Sequence, residues 1–287
     1  MPVQATGVVN QKRSRDMGQA SRVIRRKKCK RRRTVVALTP PPPQSSRPEV
    51  PMLLQKLYLA CRSVFKGPGT IPCPSDVQLL CRILDNMKPE DVGLSSKTQS
   101  LISENVGEGR PRVTSSTIYH CENFSLCMFF LPATAVIPLH NHPGMTVFSK
   151  LLLGKLHIKA YDWVDPSSLD CSTPVSKPRL ARLKVDSVFT PPCDTSVLYP
   201  TWGGNIHAVR AETPCAFLDV LGPPYSKEDG RDCSYYKDLP YTAFPNGIME
   251  VVEEEANYRW LEEIEMPEES EMDCIRYLGP QIIEASC

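Results

Sequence analysis

The residues PLHNHPGMTVFSKLLLGKLHIKAYDW, Pro138 to Trp163, decide how this chain folds. Two of its five histidines, His140 and His142, stand here with one residue between them. Behind them, MTVFSKLLL and KLHIKAYDW are β-type runs divided at Gly154, which predicts a hairpin turn there. Residues i and i+2 of a strand face the same side, so the two imidazoles point together. An isolated H-x-H is often only a pair of surface histidines. The preceding AVIPL is apolar, however, so the strand is buried on at least one face. If that face is a barrel interior, two neutral imidazoles converge on one point.

Working outward, the same short β rhythm continues on both sides. TIYHCENFSLCMFFLP leads into TAVIPLH, and RLARLKVDSVFT, TSVLYP, NIHAVRA and CAFLDVLGPP follow the hairpin. This predicts roughly eight to ten strands between residues 115 and 222 with no helix among them. The fold class is therefore mainly β, an antiparallel double-sheet jelly roll or small barrel. A third histidine, His207, lies in TWGGNIHAVRAE, where Gly203 and Gly204 make a turn and release the chain into a strand. Strands distant in sequence lie side by side in a jelly roll, so His207 is placed to complete the set. Imidazole is the usual ligand for Zn, Fe, Cu or Ni. His157 alternates with Leu156 and Ile158 and reads as a non-ligand; His120 has no claim.

The flanks differ from the barrel. VPMLLQKLYLACRSVF places Leu53, Leu54, Leu57, Ala60, Cys61 and Val64 at helical spacing. GPGTIPCP ends that helix, and SDVQLLCRILDNM is a second, with Ser75 as N-cap and Pro89 beyond its end. PEDVGLS then reads as a turn. The helix pair is expected to cap one face of the barrel. After Pro223 come SYYKDLPY and an acidic segment near EEEANYRWLEEIE that reads as helical. Residues 1–50 form a basic, then proline-rich tail with few large apolar residues, so disorder is expected there. The cluster RRKKCKRRR, Arg25 to Arg33, reads as a nuclear-import signal, against a merely solvated tail or a nucleic-acid patch. The expected division is thus the tail 1–50, a barrel domain with its helical cap at 51–265, and a C-terminal tail at 266–287.

Composition narrows the class. A length of 287 residues suits one good-sized domain or two small ones. Twenty-eight prolines against 15 glycines imply several extended or loop-like segments. The 12 cysteines are scattered and form no C-x-x-C pair, which argues against a zinc ribbon. With no apolar leader and no span long enough for a bilayer, we expect an intracellular, reduced protein with free thiols and no membrane partner. The net charge of +2 hides an asymmetry: residues 1–39 carry twelve Lys or Arg against Asp16 alone, so about +11, leaving about −9 elsewhere. The folded part is mildly acidic and does not look like a nucleic-acid reader.

Taken together, PLHNHPGMTVFSKLLLGKLHIKAYDW and WGGNIHAVRAETPCAFLDVLGPPYS resemble the plant cysteine oxidases. These are thiol dioxygenases of the cupin superfamily, related to the animal cysteamine dioxygenase. The resemblance spans about residues 50–265. It implies a cupin double-stranded β-helix with N-terminal helices. It further implies Fe(II) held by His140, His142 and His207. The general cupin pattern carries a glutamate shortly after H-x-H; here those positions are Thr146 and Val147, while Gly154 closes the motif where expected. No carboxylate joins the three imidazoles, which fits the thiol dioxygenases and speaks against 2-oxoglutarate oxygenases with their two-histidine, one-carboxylate site.

Three neutral ligands leave Fe(II) its full charge and open positions for a substrate thiolate and amine, and a coordinated thiol loses its proton readily. Substrate sulfur supplies the electrons, and both oxygen atoms of O2 end on it as a sulfinic acid. The resemblance implies that the substrate is the N-terminal cysteine of proteins, hypoxia-response transcription factors in plants. Its oxidation would mark the protein for arginylation and degradation and make the enzyme an oxygen sensor. Two further residues carry over: Asp219 in FLDVLGPPY, to orient substrate or a ligand, and Tyr225 after GPP, to aim its hydroxyl at the site. The plainer readings are a strand-end carboxylate and a packing tyrosine. Cys233 reads as pocket neighbour or bland thiol. Two other functions stay open: a cupin dioxygenase of free cysteine or cysteamine, and a non-enzymatic nuclear cupin. A monomer in nucleus and cytoplasm is expected.

Overall fold

The structure, a computed structural model, describes residues 52–95, 111–165, 177–243 and 257–284. The basic tail at 1–50, with its Arg25–Arg33 cluster, lies outside the described residues, as does the acidic run at 251–256. Two helices come first, α1 (Met52–Val64) and α2 (Pro74–Asp85), then a 3-10 turn at Pro89–Val92. Twelve strands follow among the described residues. They are β1 (Val113–His120), β2 (Ser125–Leu131), β3 (Val136–His140), β4 (Thr146–Leu153), β5 (Leu156–Trp163) and β6 (Arg179–Phe189). Then come β7 (Ser196–Leu198), β8 (Ile206–Ala211), β9 (Cys215–Gly222), β10 (Tyr235–Pro240), β11 (Tyr258–Ile264) and β12 (Met272–Cys274).

One sheet runs β12-β1-β2-β9-β4-β7. The other, β10-β11-β6-β5-β8-β3, closes on itself where β10 meets β3. All these pairings are antiparallel except that of β1 with β12. This is the expected cupin β-helix under a two-helix cap.

Side-chain parity explains why the first sheet tolerates so little polarity. On β4, Phe148 and Leu152 face the helices and share a core with Leu54, Leu57, Leu80 and Leu84. Val147 and Leu151, one residue out of phase, face the barrel interior. On β9, Leu218 and Val220 meet the helices while Phe217 and Leu221 look inward. A sheet covered on both faces reads as an unbroken apolar run rather than an alternation. Complete burial of each such side chain contributes about 1.5–3 kcal/mol. Asp219 is the only charged residue of β9, and its parity assigns it to the interior with Phe217 and Leu221.

The hairpin at Gly154 is present, and only glycine suits it. Gly154 has φ +83°, and a Cβ there would run into the Pro214 carbonyl. Two expectations need correction. The α2 N-cap is Cys73 rather than Ser75, because Pro74 takes the first helical position, where its fixed φ and missing N–H cost nothing. The segment around Tyr258 is not helical: β11 pairs with β6 and β10, and Leu261 is buried against Tyr161 and Ala181. Glutamate favours helices only weakly, and tertiary pairing of a strand carrying Tyr258 and Trp260 overrides it. Beyond residue 265 the chain returns to the domain: β12 pairs with β1, and Ile283 exchanges hydrogen bonds with Gln55 of α1.

Candidate metal centre

His140, His142 and His207 meet at one end of the barrel interior. Their candidate ligand atoms lie within 4.8 Å of one another. The ring centroids form a near-equilateral triangle with sides of 4.9, 4.8 and 5.0 Å. Among the described residues this is the one cluster of three or more potential metal ligands.

Simple strand alternation does not bring the first two together. Ile137 points inward and Leu139 packs outside with Tyr161 and Ile206. The ladder to β8 slips between Ile137 and His140, a bulge in the interval that contains Pro138, which has no N–H to donate. The slip changes phase so that His140 faces inward, directly opposite His207 on β8. His142 lies past the end of β3 and is brought in by the turn that follows. Convergence thus comes from a bulge and a turn, where the sequence suggested i and i+2 of one strand.

Each imidazole is held by its Nδ1. That of His140 donates to the Pro138 carbonyl at 2.8 Å, and that of His207 to the Gly204 carbonyl at 3.4 Å. His142 Nδ1 meets the Tyr225 hydroxyl at 2.8 Å, and that hydroxyl donates to the Asn141 carbonyl, also at 2.8 Å. The tyrosine proton is committed to Asn141, so Nδ1–H of His142 is the donor to Tyr225. All three rings therefore keep the tautomer whose Nε2 lone pair is free, as metal-bound histidines do. Nε2 of His142 is buried and has no hydrogen-bond partner, an arrangement that costs free energy unless something accepts the lone pair. Burial holds His140 and His142 below the ordinary histidine pKa and His207 down at about 3, with the neighbouring imidazoles adding to the effect at His142 and His207. Three neutral, oriented, partly unsatisfied nitrogens fit a first-row divalent cation.

Around them a cavity of about 430 Å³ runs from apolar barrel wall, with Phe129, Leu151 and Phe217, to exposed Asp194 and Asp232. Asp219 and Ser149 face into it from β9 and β4. Asp219 Oδ1 is buried and unpartnered, and burial raises its carboxyl to about 7, opposed by a hydrogen bond from Ser149. Tyr225 lines the cavity, and its hydroxyl is engaged by His142 and Asn141, so it holds the His142 ring in place. Cys233 lies beside Tyr225 and Tyr235 on the same wall. His157 is elsewhere, bonded to Asp186 at 2.7 Å, and His120 is exposed at the end of β1.

Sequence reasoning missed Asp162 and Asn205. Asp162 is a buried carboxylate at the end of β5 that accepts from the amides of Gly203, Gly204 and Asn205. The Asn205 side chain bonds both backbone groups of His142. The available signal was Asp162 itself: a carboxylate within a buried strand must have partners.

Comparison with known proteins identifies the family. The PCO_ADO family matches residues 83–282. Plant cysteine oxidase 2 of Arabidopsis thaliana is 49% identical over 235 residues, 80% of this chain and 83% of that protein. Plant cysteine oxidase 1 of the same plant is 46% identical over 239 residues, 80% of each. The 2-aminoethanethiol dioxygenase of Mus musculus is 32% identical over 211 residues, 67% of this chain and 81% of that protein.

Proposed function

The chain belongs to the PCO_ADO family and is a thiol dioxygenase of the cysteine-oxidising type, and from that premise we propose that it uses Fe(II) and O2 to oxidise N-terminal cysteines of proteins to the sulfinic acid. The observation that carries this reading is the cluster of three neutral imidazoles, with no carboxylate among them, on the wall of a cavity that reaches the surface. Fe(II), when bound, supplies a Lewis-acidic centre that favours the substrate thiolate and brings dioxygen to the electrons of sulfur. The reaction balances without a co-substrate: the thiol gives four electrons, O2 takes them, and both oxygen atoms finish on sulfur. That agrees with the absence of the carboxylate ligand that oxoacid-dependent oxygenases employ.

The chain's own residues account for the rest. His140, His142 and His207 hold the metal, with Pro138, Tyr225 and Gly204 fixing their ring orientations. Asp219, its free Oδ1 facing the cavity, accepts a hydrogen bond from the α-amino group that an unblocked protein N-terminus offers. Asp194 and Asp232 at the rim are both acidic, and no lysine or arginine among the described residues lines the cavity, so a cationic N-terminus is drawn in. Apolar walls exclude water from the thiolate. The proposed substrates are hypoxia-response transcription factors, whose oxidised N-terminus feeds the arginine degradation pathway. The Arg25–Arg33 cluster supports action in the nucleus as well as the cytoplasm.

A second reading, oxidation of a free aminothiol, is favoured by the 32% identity to mouse 2-aminoethanethiol dioxygenase. One assay separates the two. Iron-loaded protein is incubated in air with a peptide beginning in cysteine, its N-acetylated twin, free cysteine and 2-aminoethanethiol, and products are read by mass spectrometry. The peptide gains two oxygen atoms, none without air, and the acetylated twin gains none. Turnover of the small thiols in preference to the peptide overturns the proposal.

A further inference from the structure

We infer that Asp162 and Asn205 form a clasp that sets the separation of His142 and His207 and thereby the affinity of the centre for its metal. The inference rests on reading the three histidines as ligands. Neither clasp residue belongs to that set, and both are positioning residues.

The clasp is built from a loop with an unusual backbone. Gly203 and Gly204 each have φ +86°, and a Cβ on Gly204 would stand 2.8 Å from the Cβ of Ala160. Successive amides in such a loop turn toward one point and make a seat for an anion. Asp162 occupies that seat, with Oδ2 accepting from Gly203 at 3.0 Å and Oδ1 from Gly204 and Asn205 at 2.8 and 3.2 Å. The loop so fixed reaches both ligand-bearing segments. The Gly204 carbonyl accepts from Nδ1 of His207. The Asn205 side chain crosses to the other segment: Oδ1 accepts from the His142 N–H at 3.0 Å, and Nδ2 donates to the His142 carbonyl at 2.9 Å and to the Tyr199 carbonyl at 2.7 Å. The amide can face only one way, because turning it would set an oxygen against two carbonyls. Asp162 and Asn205 are both buried, so little water is available to replace any lost partner. One carboxylate thereby governs two ligands 65 positions apart in the sequence.

The test measures metal binding rather than turnover. Co(II) is titrated anaerobically into wild type, Asn205→Ala, Asn205→Asp and Asp162→Asn, following the visible ligand-field bands. Asn205→Asp keeps the size and one acceptor but cannot donate to the two carbonyls. Leu57→Ala, in the helical core far from the site, serves as a destabilised control. The expected result is affinity weaker by about 10–100-fold in all three clasp variants, with displaced bands and retained circular dichroism, and no change in the control. Wild-type affinity and spectrum in the folded clasp variants overturn the clasp. So does an equal loss in Leu57→Ala, which makes the effect one of stability alone. Failure of the wild type to bind Co(II) overturns the metal reading itself, and the clasp with it.

Discussion

At the residue scale the centre is defined by which nitrogen each histidine spends. Pro138, Tyr225 and Gly204 take the three Nδ1 atoms, and what remains converges. Replacing His207 with alanine removes a ligand outright, so iron content measured on purified protein should fall below a tenth of wild type and turnover with it. Tyr225→Phe keeps the ring but leaves Nδ1–H of His142 unmatched; metal affinity should fall by about 10–100-fold, the usual cost of losing a partner behind a ligand. Equal iron affinity in that variant would show that Tyr225 does not orient His142. Asp219 makes a prediction about pH. Its buried carboxyl sits near 7, protonated below and ionised above. On the proposed role of Asp219, in which the ionised form accepts from the substrate amino group, kcat/KM should rise as pH increases through about 7, and Asp219→Asn should abolish that rise. The folding consequence has the opposite sign. The folded pKa lies above the ordinary 3.8, so the ionised group is a cost absent at low pH that grows as pH climbs toward 7. Asp219→Asn should therefore raise Tm of the metal-free protein at pH 8 and leave it little changed at pH 3.

At the scale of elements, α2 is tied to the cavity rim by a buried cation. Lys150 of β4 points away from the interior and reaches Asp85 at the end of α2 and the carbonyl of Cys193. Asp85 in turn accepts from the amide and hydroxyl of Thr195. The segment carrying Cys193 and Asp194 is thus pinned from behind. Lys150→Met should loosen it, raising KM for an N-terminal-cysteine peptide several-fold while iron content stays at the wild-type level; an unchanged KM would count against the rim as part of the binding site. Gly154→Ala tests the hairpin: with φ +83° and a carbonyl in the way, it should cost more than about 1 kcal/mol in denaturant unfolding. Much at this scale was legible beforehand. Apolar alternation located the strands, and Gly154 and the Gly203–Gly204 pair marked their turns. Tyr258–Ile264 was not legible, because its seven residues mix Glu with Tyr258 and Trp260 and have no strong local preference, and of its partners β10 precedes it in the chain while β6 lies far off in sequence. The cluster of His140, His142 and His207 was readable because imidazoles are few in this chain. The clasp was not, since an Asp and an Asn acquire meaning only when their hydrogen-bond partners are placed.

For the whole molecule, a closed barrel buries a polar centre that no open sheet could shield, and the two-helix cap makes the opposite face of the first sheet equally apolar. The barrel supplies rigidity; bulge, turn and clasp supply the aim. The account rests on one ion held by three imidazoles and no acidic side chain. The measurement closest to that claim is a crystal structure of the iron-loaded protein with anomalous diffraction collected on both sides of the iron absorption edge. The account predicts a single iron peak bonded to Nε2 of His140, His142 and His207, with Asp219 facing the cavity but unbound. An Asp219 oxygen bonded to the iron, or a peak from which any of the three histidines is missing, would contradict it.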